Sequence, residues 1–170
     1  MPVGNLEFIK SASGTSVSSL SVTDCFSADY DVYAITFKLT DKLTTDDDLS
    51  LRLIDSSGSV ISASEYDRAN LNMNTNATFG EGISTGTTSF FSHIELTTSN
   101  DNAGGISYIF NPFDSSSYTF HTAQTTSFKT VGFLGKKIIG VHKSAEQITG
   151  INYFADSGTF SATISVYGVK

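Results

Sequence analysis

Between Thr159 and Val166 the chain alternates strictly. Phe160, Ala162, Ile164 and Val166 share one parity, and Thr159, Ser161, Thr163 and Ser165 share the other. Successive side chains of a strand point to opposite faces, so this pattern buries one face and wets the other. On a helix the same residues would be scattered around the circumference. Asp156-Ser157-Gly158 reads as a tight turn before this strand, and Ile151, Tyr153 and Ala155 read as its hairpin partner. The same period recurs upstream. Tyr33, Ile35, Phe37 and Leu39 alternate with smaller or polar residues, as do Leu49, Leu51 and Leu53. Asp55-Ser56-Ser57-Gly58 then turns the chain towards Val60-Ile61. Ile106, Tyr108 and Phe110 alternate up to Asn111-Pro112, and Tyr118 and Phe120 open the next strand after Asp114-Ser115-Ser116-Ser117.

No window is a convincing amphipathic helix. A short helix over Ser64–Asn70 competes with a strand in which Asn70, Asn72 and Asn74 alternate with Leu71 and Met73. Residues 74–89 hold three glycines and little to pack, and are predicted to be a long loop. Gly132-Phe133-Leu134-Gly135-Lys136-Lys137 is predicted to be a turn or sheet edge carrying two solvated lysines. The tally is roughly eight to ten short strands with sandwich-like turn spacing. The expected fold is an all-β, jelly-roll-like antiparallel β-sandwich of two four-stranded sheets. A chain of 170 residues suits one such domain. Residues 11–170 form the sandwich, and residues 1–10 are either an N-terminal arm or its first strand.

Composition narrows the function classes. Ser (26) and Thr (21) make up 47 positions while charged residues are only 16%, so contacts made by this surface are wet and weakly charged. The net charge of −7 argues against a nucleic-acid partner, since phosphates need clustered Lys and Arg. Residues 1–100 carry 13 acids and 5 bases and the rest 4 and 5, so one end of the domain is expected to be acidic. No apolar run reaches membrane-spanning length. The opening Met-Pro-Val-Gly-Asn-Leu-Glu-Phe-Ile-Lys lacks a signal peptide's basic and apolar regions. Folding in a cytoplasm, with Cys25 reduced, is therefore expected.

Chemistry is sparse. There is no phosphate-binding loop and no nucleophile elbow. His93, His121 and His142 sit in three different strands, so spacing offers no metal or cofactor site. Asp46-Asp47-Asp48 lacks the Gly and closing Glu of a calcium loop and reads as a solvated loop, with a weak cation site as the alternative. Five glutamates and no tryptophan weigh against glycoside hydrolysis. Tyr30, Tyr33 and Tyr66 are the available sugar platforms. Cys25, flanked by Asp24 and Asp29 with no local histidine, reads as a quiet buried thiol. Asn76-Ala77-Thr78 matches a glycosylation site by chance. No enzyme is expected.

Three stretches together carry a resemblance. They are Tyr108-Ile109-Phe110-Asn111-Pro112-Phe113 with Tyr118-Thr119-Phe120-His121, then Ile148-Thr149-Gly150-Ile151, then Ser157-Gly158-Thr159-Phe160 through Tyr167-Gly168-Val169-Lys170. This layout resembles small virion structural proteins of tailed bacteriophages, especially marine ones. It covers about residues 106–170, with a weaker echo at Leu51–Asn70, while 121–147 has no counterpart. The resemblance implies a non-enzymatic virion component, foremost a capsid decoration (cement) protein assembled in the host cytoplasm. It implies other virion proteins as partners, the major capsid protein first, and a homotrimer, without cofactor, nucleic acid or membrane. A tail or fibre adaptor, or a receptor-contacting carbohydrate-binding β domain, is the alternative. Leu6, Phe8 and Ile9 at the start, and Phe79 and Ile83 in the loop-like segment, are the candidate partner contacts.

Overall fold

A computed structural model describes residues 5–41, 47–75, 79–96, 103–129 and 132–170. Of the Asp46–Asp48 run only Asp48 lies among the described side chains, and Asn76-Ala77-Thr78 lies outside them. The described chain is all β, an antiparallel, jelly-roll-like sandwich of twelve strands. They are β1 (Leu6–Val17), β2 (Ser19–Val22), β3 (Val32–Asp41), β4 (Asp47–Asp55), β5 (Tyr66–Asn74) and β6 (Gly80–Thr87). Then come β7 (Phe90–Leu96), β8 (Gly104–Phe110), β9 (Thr119–Lys129), β10 (Gly132–His142), β11 (Ile148–Ala155) and β12 (Phe160–Val169).

The layers are unequal. One sheet has eight strands in the order β1-β12-β3-β8-β9-β10-β5-β6, and the other has four, β2-β11-β4-β7. The expected four-plus-four division is therefore replaced by eight plus four. The alternating strands are the reason for the core. Tyr33, Ile35, Phe37 and Leu39 of β3, and Phe160, Ala162, Ile164 and Val166 of β12, bury their odd and even faces respectively. They meet Leu49, Leu51 and Leu53 of β4 and Ile151 and Tyr153 of β11 from the opposite sheet. Phe37 and Tyr153 touch across the gap with ring centroids 5.0 Å apart.

The turns follow their sequence signals. The Asp55 carboxylate accepts the backbone N–H groups of Ser57 and Ser59, and Gly58 takes φ +83°. Asp114 accepts the N–H of Ser116 in the same way. Gly158 turns β11 into β12 at φ +71°.

Three expectations are corrected, and one alternative is decided. Residues 80–87 are strand β6, paired with β5, because an edge strand needs hydrogen bonds on one side only and tolerates glycines. Over Ser64–Asn70 the strand reading holds and the alternative helix does not form: β5 starts at Tyr66, whose hydroxyl accepts the Leu53 N–H and donates to the Ile61 carbonyl. Gly132–Lys137 lies inside β10, paired on both sides, and Lys136 is buried while Lys137 is exposed. In β8 the buried parity is Ser107 and Ile109, and the larger Ile106, Tyr108 and Phe110 lie half-buried on the outer face.

Candidate functional site

Two features stand out from the solvated hydroxyl surface. The first is the outer face of β9-β10-β5-β6. Ladder register sets its rows. Ile139 of β10 pairs with Thr122 and Ala69, and Ala69 pairs with Ile83. The next row runs Gln124, Lys137, Leu71, Glu81, and the next Thr126, Gly135, Met73. Phe128 faces Phe133 at the end of the β9–β10 ladder. Leu71, Met73, Phe128, Phe133 and Ile139 are exposed, and Phe79 and Ile83 are the most exposed large apolar side chains described, at 78% and 74%. Shallow grooves run between them, one bordered by Met73, Phe79 and Phe133, the next by Leu71, Ile83 and Ile139. Asp67, Glu81 and Lys137 supply charge along these grooves. Contiguous exposed apolar surface of this kind marks a contact site.

The sequence-predicted contacts divide between the two edges of the eight-stranded sheet. Leu6 and Phe8 lie in β1 at one edge and are exposed, with Phe8 packing edge-on against Tyr167. Ile9 is partly buried and packs on the core, because the β1–β12 register shifts between Phe8 and Lys10. Phe79 and Ile83 lie at the other edge. The five residues therefore do not form one patch. The sequence reading missed Leu71, Met73, Phe133 and Ile139. Their signal was present in Phe133-Leu134 and Ile138-Ile139, neighbouring apolar pairs that put hydrophobic side chains on both faces of one strand.

The second feature is at the other end of the same strands. Tyr66 opens β5 and pairs with His142, which closes β10. Glu65 precedes the first and Glu146 follows the second by four residues in the loop to β11. The Lys143 N–H donates to the Glu65 carbonyl, which locks the two chain segments together. His142 Nε2 lies 3.3 Å from Glu65 Oε2 and 3.8 Å from Glu146 Oε1. The imidazole is fully buried while both carboxylates reach solvent. Burial pushes the His142 pKa below the ordinary histidine value, against the pull of Glu146 and Glu65. The ring rests against Tyr66, centroids 4.8 Å apart. Tyr66 in turn meets Phe90 edge-on, and Phe90 stacks on His121 at 4.7 Å. Gly140 makes room for this column, since a Cβ there would lie 2.7 Å from the Phe90 ring. Histidine spacing alone did not reveal this cluster, because Glu65 is distant in sequence and only the sheet register brings it to His142.

The remaining candidates are quiet. Burial raises the Cys25 pKa to about 12, which removes the thiolate needed for nucleophilic attack. Tyr33 and Tyr66 are buried and offer no face to a sugar. His121 is buried, and His93 lies in β7 with its side chain outside those described.

No family model matches this chain, and no curated protein matches it. Among solved structures it is similar to the exo-inulinase of Aspergillus awamori, with TM-score 0.46 and 10% identity over 96% of this chain. The chain spans 29% of that enzyme's length. It is also similar to the marine PL-14 alginate lyase from Aplysia kurodai, with TM-score 0.36 and 6% identity over 86% of this chain and 72% of that one. Alginate lyase Aly36B is a third, with TM-score 0.31 and 9% identity over 89% and 80% of the two chains. At these identities the similarity is one of strand arrangement, and no residue or activity passes from those enzymes to this chain.

Proposed function

We propose that this chain is a non-enzymatic structural component of a tailed-bacteriophage virion, a capsid decoration protein that docks through the outer face of β9-β10-β5-β6. The observation that carries the reading is the exposed apolar strip from Phe133 through Met73 and Leu71 to Ile139 and Ile83, on a chain that is only 16% charged. An apolar centre with a charged rim is the layout of a protein contact. The virion setting rests on the sequence resemblance in residues 106–170. A trimer on the capsid surface, contacting the major capsid protein, suits closed-symmetry assembly. A tail or receptor-contacting role is the second reading, favoured by the exposed Phe79 and Phe133 rings beside Gln124 and Lys137, which could stack on a glycan.

The test is light scattering followed by rebinding to purified heads stripped of this protein. A mass three times the 18.2 kDa of the chain is expected, with rebinding that raises head resistance to heat. The Ile83→Lys/Ile139→Lys variant should stay folded, since both side chains are solvent-exposed, and should bind heads at least tenfold more weakly. Unchanged head binding by that variant refutes the docking face. Binding of wild-type protein to tails or glycans, with none to heads, replaces the decoration reading by the second one.

A further inference from the structure

We propose that Glu65, His142 and Glu146 form a binding site for a divalent transition-metal ion, Zn²⁺ in the first place, that staples the loop before β5 to the loop after β10. His142 Nε2 and one oxygen from each carboxylate all lie within 4.8 Å of one another. Zn²⁺ binds nitrogen and oxygen ligands at roughly 2.0–2.2 Å, so neighbouring ligand atoms in a tetrahedral site sit about 3.3 Å apart. The His142–Glu65 separation of 3.3 Å already meets that spacing, while Glu146, 3.8 Å from His142 and within 4.8 Å of the Glu65 oxygen, closes on the ion by side-chain rotation. Glu146 stands in a loop and is a third exposed, so the rotation is open to it.

The buried imidazole is the independent pointer. His142 Nε2 is shut away from water, aims at the two carboxylates, and is aligned with neither as a hydrogen bond. A buried polar atom left in that state is costly, and a cation between the three groups removes the cost at Nε2. Charge agrees with this. A neutral imidazole and two carboxylates sum to −2, which a divalent cation cancels. Lys143, next to His142 in the chain, is held by Asp67 at 2.9 Å. One nitrogen and two oxygens suit Zn²⁺ or its first-row neighbours, whereas Ca²⁺ and Mg²⁺ favour all-oxygen sets. Both carboxylates reach solvent, so the ion has an entry path and water can complete the coordination.

Because His142 is buried, the variant to make is Glu65→Gln/Glu146→Gln, which keeps shape at two partly exposed positions. Titration calorimetry of the chelator-treated full chain with ZnCl₂ should show one strong site per chain. The double variant should bind at least tenfold more weakly and fold as well as wild type by circular dichroism. Zn²⁺ should raise the wild-type melting temperature, reversibly on adding EDTA, and millimolar MgCl₂ or CaCl₂ should not. Co²⁺ should give visible absorption bands of a four-coordinate site with nitrogen and oxygen ligands. Absence of a strong Zn²⁺ site in wild type overturns the proposal. So does undiminished Zn²⁺ affinity in the folded double variant, which would locate the ion elsewhere.

Discussion

Single buried polar residues set how this chain responds to its medium. His121 lies inside the sheet against Phe90, and burial drops its pKa from 6.5 to about 3. In the unfolded chain the imidazole titrates near 6.5. Above that pH both states are neutral and His121 contributes nothing to pH dependence. As pH falls from about 6.5 towards 3, the unfolded state binds the proton and the folded state does not, so stability is lost. The slope approaches about 1.4 kcal/mol per pH unit. Urea midpoints at pH 7.0, 5.5 and 4.5 should therefore fall less steeply for His121→Gln than for wild type. Carboxylates such as Asp55 and Asp67, whose hydrogen bonds hold their pKa values low, contribute to both proteins alike and cancel in the comparison. Equal slopes would mean that His121 takes up its proton as readily in the folded protein as in the unfolded chain.

At the level of the strand, side-chain parity decides tolerance. Ile164 is buried in β12 and Ser165 beside it faces outward. Ile164→Asp puts an unpaired charge in the apolar layer and should cost more than about 4 kcal/mol, enough to unfold a domain of ordinary stability. Ser165→Asp should change stability by less than about 1 kcal/mol. Soluble, cooperatively melting Ile164→Asp protein would show the faces reversed. β12 was legible in the sequence because its two faces meet different environments. β6 was not, because Gly80, Gly82 and Gly86 with Ser84, Thr85 and Thr87 carry no alternation that separates a strand from a loop. β10 was misread for the opposite reason: both of its faces carry apolar residues, and the glycines and lysines between them imitate an edge. Its central place comes from pairing with β9 and β5, a long-range fact. The Glu65–His142–Glu146 cluster was hidden for the same reason.

For the molecule as a whole, the inequality of the layers predicts a gradient of stability. The apolar core lies where β12, β3 and β8 of the large sheet face β11 and β4 of the small one. Beyond it, the inner face of β5 carries Arg68, Asn70 and Asn72, and that of β10 sets Lys136 between Leu134 and Ile138, so polar side chains replace much of the aliphatic packing there. Arg68 donates to Asn70, and Asn70 donates to Asn72, so this end is held by polar contacts along one strand. Such networks contribute less per residue than buried aliphatic surface and open more readily. Local opening is cheapest where apolar packing is thinnest. Amide hydrogen exchange should therefore be slowest in β3, β11 and β12, intermediate in β9 and β10, and fastest in β6. A partner seated on the outer face of β5 and β6 would slow exchange there while leaving β12 unchanged, because only the weakly held end has protection to gain. Slow exchange in β6 of the isolated chain, equal to that of β12, would contradict the gradient and require that the polar inner face is already covered.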